Sequence, residues 1–338
     1  MQHGGGAKCR RARSESRISL VDACSITNSL FGVDGGQFGW KNGRLSLKQV
    51  KAGGAHVTPP LGRDFSGIIV DKGAKVTNFN IGDEVYGLSQ NFIKGTFAEY
   101  ATVNANHLAR KPGNISMAEA AAVPLVGITA FQAIKSGNVK AGSRVLVIGA
   151  SGGVGSLAVQ IAKAMGAHVI GVCSAKNKAL VESLGATQVI DYTKENYIEA
   201  VQDIDFVFDT TGNESLSKCQ RIMSNNGVFA TTLPGPTVAA DLISATLGLK
   251  SQRVKIVSAM ANRKVLESLT QLIESTQIKP VIDSIYSFEA INDGMSKSKT
   301  KHAAGKIILA VKGKSASEQS VKLSSGATKP ASKLGAPA

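Results

Sequence analysis

The chain has 338 residues, room for two domains at the usual ~100–200 residues each, and its 43% hydrophobic content suits a sizeable buried core. No run approaches the ~18 apolar residues that span a bilayer, so no transmembrane helix is expected. A charge of +15 raises nucleic acid as a partner, but much of it lies at the ends, and the mildly basic body has no basic run interleaved with aromatics; a phosphate-rich small molecule is expected there and nucleic acid is not.

In chain order, residues 1–17 carry Lys8, Arg10, Arg11, Arg13 and Arg17 against Glu15 and lack the apolar stretch of a secretory signal. A transit-peptide remnant and a disordered leader remain equal readings, so mitochondrial and cytoplasmic locations both stay open for an intracellular protein. Residues 18–115 read as short strands broken by Gly and Pro: RISLVDA, DFSGIIV, DEVYGL and TFAEYATV. A long, weakly patterned connection, FGVDGGQFGWKNGRLSLKQVKAGGAHVTPP, separates the first two. The spacing then predicts one helix over MAEAAAVPLVGITAFQAIKS. It is followed by the strand RVLVIGA, a glycine cluster, the helix SLAVQIAKAMG, and the strands HVIGVCS, QVIDY and DFVFDTTG with helical segments between them. Strands alternating with helices predict βαβ units and a parallel sheet over 116–255. KPVIDSIYSFEAINDGM and GKIILAV, within 256–312, return to the β domain, and the Ser/Ala/Lys-rich tail over 313–338 is expected to be disordered.

Residues 145–155 read Val-Leu-Val-Ile-Gly-Ala-Ser-Gly-Gly-Val-Gly between a buried strand and a helix, the context that a dinucleotide fingerprint requires. Gly152 and Gly153 admit a diphosphate to the backbone, Gly155 admits close helix–strand packing, and the helix start offers free N–H groups. Ala150 stands where the first glycine of the fingerprint would be, flanked by Gly149 and Ser151. About twenty residues on, NAD-binding sheets place an acid for the ribose 2′-hydroxyl. Here Cys173 and Ser174 end the strand, followed by Lys176 and Lys178, so NADPH is expected over NADH.

Cys9, Cys24, Cys173 and Cys219 lie far apart without CxxC spacing, which argues for reduced thiols and against structural zinc. Zinc alcohol dehydrogenases of this shape place a His-Glu pair where LGRDFSG has Arg63-Asp64, and none of the five histidines pairs with a Cys or carboxylate at ligand spacing. No metal is expected. Without a Lewis acid, an electron-poor acceptor such as a quinone or an α,β-unsaturated carbonyl suits hydride transfer better than an alcohol.

LGRDFSGIIVDKGAKVTNFNIGDEVYG, GTFAEYATV, AAAVPLVGITAFQAI and the segment from VIGASGGVGSLAVQ to ATQVIDY resemble the zinc-free quinone oxidoreductase branch of the medium-chain dehydrogenase/reductase superfamily. The resemblance covers about residues 18–311. It implies an α/β fold: a Rossmann doubly wound parallel sheet plus a GroES-like, mostly β catalytic domain, with NADPH between them. Family members begin with a strand pair ahead of the segment matching RISLVDACSIT, so the β domain is expected to lack its first strands.

The resemblance further implies that Ser151, Gly153 and Val154 hold the diphosphate and that Ser174, Lys178 and Tyr192 meet the 2′-phosphate. Thr129 lies near the nicotinamide. DTTG, with Asp209 and Thr211, and the segment carrying Leu233 form the nicotinamide wall, and Lys306 is a further cofactor candidate. The substrate-side tyrosine of some relatives is absent; Tyr86 is the nearest proton donor in kind, and water is an equal alternative. The function expected is NADPH-dependent reduction of a quinone or enone. An enoyl-thioester reductase and a non-catalytic NADPH-binding interaction protein remain alternatives. Relatives are often dimers, and a homodimer is the expectation carried from them.

Overall fold

In a computed structural model of the protein, residues 62–90 and 95–311 are described in full, and the strands at 17–20, 23–26, 37–41 and 44–48 by their backbone. The basic leader, the tail from Gly313 and the remainder of the long connection lie outside the described residues.

The catalytic half contains β1 (Arg17–Leu20), β2 (Ala23–Ile26), β3 (Gln37–Lys41), β4 (Arg44–Lys48), β5 (Asp64–Ile68), β6 (Asp71–Lys72), β7 (Glu84–Leu88), β8 (Ala101–Asn104) and β9 (Leu108–Arg110). The cofactor half contributes β10 (Arg144–Ile148), β11 (His168–Cys173), β12 (Gln188–Asp191), β13 (Ile204–Asp209), β14 (Met223–Thr231) and β15 (Arg253–Ile256). The chain then returns with β16 (Ile282–Ser287) and β17 (Lys306–Ala310), completing a mixed sheet of order β16-β17-β2-β5-β7-β9. β6-β1-β8 form a smaller antiparallel sheet and β3-β4 a hairpin.

The helices are α1 (Met117–Ala121), α2 (Pro124–Ser136), α3 (Gly153–Ala164), α4 (Lys178–Ser183), α5 (Tyr197–Ala200), α6 (Leu216–Cys219), α7 (Pro236–Thr246), α8 (Arg263–Glu274) and α9 (Ile291–Lys299). Among the described residues, none is long and apolar enough to cross a membrane. The single helix expected over 117–136 is two. Pro124, which has no N–H to donate to the preceding turn, opens α2. Of TFAEYATV, only 101–103 is strand, in β8, which runs on to Asn104; Thr96 instead turns its hydroxyl to the Asp64 carbonyl.

The cofactor sheet is parallel throughout, in the order β12-β11-β10-β13-β14-β15. Both faces are covered, which is why β10 reads as an unbroken apolar run rather than an alternating one. Val145 and Val147 pack on one face with Leu157 of α3 and Leu269 of α8, while Leu146 and Ile148 join Ile170 and Phe229 on the other. The strand order reverses between β10 and β13, and in such sheets ligands bind outside the carboxyl ends at that switch point.

Candidate functional site

At the switch point β10 passes into Gly149, whose φ of +80° admits no side chain without strain. A Cβ there would also lie 2.5 Å from the Thr210 hydroxyl oxygen at the end of β13. Thr210 donates that hydroxyl to the Ile148 carbonyl at 2.8 Å, joining the two strand ends across the switch. The chain turns through a Gly152 N–H bond to the Gly149 carbonyl and enters α3 with Gly152 as its N-cap. No side chain caps this helix, so its first N–H groups face the space outside the strand ends, as an anion site requires. Gly155 packs so closely that a Cβ would stand 2.1 Å from the Gly149 carbonyl oxygen. Ala150, where the fingerprint has glycine, is fully buried, so its methyl group is accommodated by packing.

At the end of β11 the expected 2′-phosphate residues gather. Ser174 caps a 3₁₀ turn, Lys176 and Lys178 are exposed beyond it, and exposed Tyr192 donates its N–H to the Cys173 carbonyl. Asn177 connects this corner to the glycine loop, donating its amide to the hydroxyl oxygens of Ser151 (3.0 Å) and Ser174 (3.5 Å). The acid that ends β12, Asp191, faces Thr193, whose hydroxyl is the main cause holding its carboxyl below the usual range. Burial, and then Asp191, push the Cys173 thiol up to about 11, so it stays protonated at neutral pH.

On the other side of the switch, Asp209 is fully buried and spends its carboxylate on its own loop, accepting from Thr211 N–H and Oγ1, Gly212 N–H and Glu214 N–H. Asp209, expected at the cofactor, thereby shapes the turn whose Gly212 lies against Leu233, 2.6 Å from a Cβ built on that glycine to the Leu233 Cβ. Leu233 itself is 40% exposed and presents an apolar wall outside β14. Thr129 is buried in α2 and donates its hydroxyl to the Leu125 carbonyl. Lys306, the further cofactor candidate, is engaged within the protein. Its ammonium is not turned to the loop but pairs with Asp64 at 3.4 Å, and only its aliphatic stem lies against Gly153.

The fold turns Tyr86, the nearest proton-donor candidate, into the interior. It is 0% exposed and donates its hydroxyl to the Leu266 carbonyl of α8 at 2.7 Å, with Thr270 Oγ1 3.0 Å away. Burial, chiefly, raises it above the ordinary phenol range.

Nothing in the sequence pattern singles out Asn177 as part of this site, and neither the strand-joining bond of Thr210 nor the pairing of Asp64 with Lys306 could be read from it. A glycine closing the apolar run Val-Leu-Val-Ile was the one available signal for Gly149.

The alcohol dehydrogenase GroES-like domain profile matches residues 24–113, and the zinc-binding dehydrogenase profile matches 184–309. The chain is 32% identical over 288 residues to NAD(P)H oxidoreductase RTN4IP1, mitochondrial, of Mus musculus, covering 78% of this chain and 73% of that protein.

The chain belongs to the medium-chain dehydrogenase/reductase superfamily.

Another superfamily relative, NADPH-dependent alkenal/one oxidoreductase, chloroplastic, of Arabidopsis thaliana, is 33% identical over 258 residues, 73% of this chain and 63% of that one. The solved quinone oxidoreductase of Coxiella burnetii superposes with a TM-score of 0.75 at 26% identity, covering 88% of this chain and 92% of its own. The zinc in one profile's name does not fit the residues here. Asp64, at the former glutamate position, is committed to Lys306 and the Leu125 N–H, and among the described residues no group of three His, Cys, Asp or Glu is placed to hold a metal.

Proposed function

We propose that the protein is a zinc-independent, NADPH-dependent oxidoreductase that transfers a hydride to a quinone or an α,β-unsaturated carbonyl. The observation that carries this is the uncapped α3 start behind Gly149–Gly155, at the switch point of a parallel sheet whose second strand ends in Ser174 and lysines instead of an acid. A nicotinamide cofactor is the common element among the relatives whose names state one, and the Arabidopsis relative's name specifies NADPH. That name and the Coxiella neighbour's support the acceptor class.

The residues fit this cofactor: the α3 amides would hold the diphosphate, and Ser174, Lys178 and Tyr192 the 2′-phosphate. When bound, NADPH supplies the hydride from its nicotinamide C4. Thr211, Leu233 and the loop shaped by Asp209 would wall the nicotinamide, exclude water and fix its face. That hydride would go to the electron-poor carbon or quinone oxygen of the acceptor, and the proton that completes reduction would come from solvent or a nearby hydroxyl.

Fluorescence titration with NADPH and NADH, followed by nicotinamide absorbance with quinone and enone acceptors, tests the reading. NADPH-selective binding with acceptor-dependent oxidation supports it. Binding without turnover on any acceptor removes the catalytic part, and absence of binding by either nucleotide removes the whole.

A further inference from the structure

We infer that Asp64 and Lys306 are positioning residues for this hydride transfer, a buried charged clamp that fastens the glycine loop to the catalytic sheet. The inference deepens the function proposed above and rests on it.

Asp64 opens β5 and Lys306 opens β17, two strands of the catalytic sheet with β2 between them. Both side chains are buried, at 0% and 6% exposure, and their ion pair spans 3.4 Å. The second Asp64 oxygen accepts the Leu125 N–H at 2.7 Å. Leu125 lies in the first turn of α2, where a helix has N–H groups without internal partners and a positive dipole end that favours a carboxylate. Asp64 thus holds α2 and Lys306 at once.

From Lys306 the connection to the glycine loop is direct. Its Cδ would lie 2.9 Å from a Cβ on Gly153, with Val126 of α2 on the same spot at 3.2 Å. The preceding residue, Gly305, donates its N–H to the Ser151 carbonyl at 2.9 Å and forms a parallel bridge with Gly152. Ser151–Gly153, the segment that would carry the diphosphate, is therefore joined by backbone and side chain to the start of β17.

Packing alone would not need a charge pair here. Buried ion pairs add little net stability over apolar residues of similar volume. What an ion pair with a helix N–H does impose is one orientation of the carboxylate, and through it one position of the Lys306 stem. A displacement of about 1 Å between cofactor and acceptor is enough to cost on the order of a hundredfold in rate. Asp64 and Lys306 touch no reacting atom; they act through the loop.

The test uses the full chain with Lys306→Met, Asp64→Asn, Lys306→Arg and the Asp64→Asn/Lys306→Met double variant. Two readouts are taken: amide hydrogen exchange at Gly152–Ser156 and Gly305 without nucleotide, and kcat at saturating NADPH. Each charge-removing single variant is expected to speed exchange in these amides about tenfold through local opening and to lower kcat by roughly ten- to a hundredfold. Lys306→Arg should recover much of both, and the double variant should be no worse than the worse single, since the two residues act as one unit. Wild-type exchange and kcat in the single variants, with only the melting temperature lowered, would overturn the clamp, as would additive effects in the double. If a single variant fails to fold, the double, which leaves no unpaired buried charge, carries the same readouts. Should the unmodified protein neither bind nor oxidise NADPH, the functional reading fails while the exchange data still decide the clamp.

Discussion

A methyl group at Gly155 would stand 2.1 Å from the Gly149 carbonyl oxygen, and because that oxygen is backbone, only a shift of the loop relieves the contact. Gly152 differs: its φ of −75° suits any residue, and an added Cβ meets only the Gly149 oxygen, at 3.4 Å. Gly155→Ala should therefore lower both stability and nucleotide affinity. Gly152→Ala should keep the melting temperature within about 2 °C while weakening NADPH about tenfold or more, because its methyl group enters the space a diphosphate needs. Paired thermal melts and fluorescence titrations separate the two outcomes, and equal behaviour of the two variants would show that the loop does not face the cofactor. Tyr86 gives the opposite separation. Tyr86→Phe removes a buried hydroxyl bonded to Leu266 and should cost about 1–2 kcal/mol in denaturant unfolding. Its kcat should match wild type; a kcat loss of ~100-fold at unchanged cofactor affinity would restore Tyr86 as the proton donor.

At the scale of elements, α7 is held by Asp241, which is 3% exposed and accepts from the Ser217 N–H and hydroxyl on α6 and from the Lys250 ammonium at 2.8 Å. Burial works to raise its pKa, but the Lys250 and Ser217 bonds outweigh burial and hold it below the usual carboxylate value. A depressed folded pKa means the contribution is present above the unfolded value, about 3.9, and is lost as pH falls through the lower folded value. Asp241→Asn should thus cost about 1–3 kcal/mol at neutral pH, with the gap to wild type closing as pH falls below the unfolded carboxylate value in melts taken across pH; a gap that persists in acid would rule out this origin. The elements most legible in sequence are those whose cause is local. The run Val145–Ile148, the glycines after it and the apolar face of α3 announce a strand, a turn and a helix within twenty residues. The break between α1 and α2 was equally local, written in Pro124, yet the apolar periodicity on both sides masked it. Asp209 carries a local signal too, since Asp-Thr-Thr-Gly is an Asx-turn sequence, while its expected place at the cofactor comes from the family resemblance. Tyr86 and Asp64 were not legible, because their partners Leu266 and Lys306 lie far along the chain and only the fold brings them together.

Over the whole molecule, the two sheets are joined by bonds that belong to neither alone. Gly305 donates to Ser151, the Asp64 carboxylate holds the Leu125 N–H, Tyr86 reaches Leu266, Asn114 reaches the Ile273 carbonyl, and Arg263 reaches the Ala105 carbonyl while its guanidinium lies 4.9 Å over the Phe79 ring. Several of these are buried, and losing one partner leaves a polar group without water or protein to bond, a cost that either half would bear if it unfolded alone. The chain should therefore melt as one cooperative unit even though it is built on two main sheets. A ligand bound to the glycine loop then stabilises both halves, because it binds the folded state and the folded state is not divisible. NADPH at a hundred times its Kd contributes about 2.7 kcal/mol, which should raise a single calorimetric transition by about 3–8 °C at this chain length. The discriminating result is the shape of the trace. One transition moving as a whole follows from joined sheets, whereas two transitions, with only the upper one moving on NADPH addition, would mean that these bonds yield before the cores do and that the catalytic sheet does not sense the cofactor.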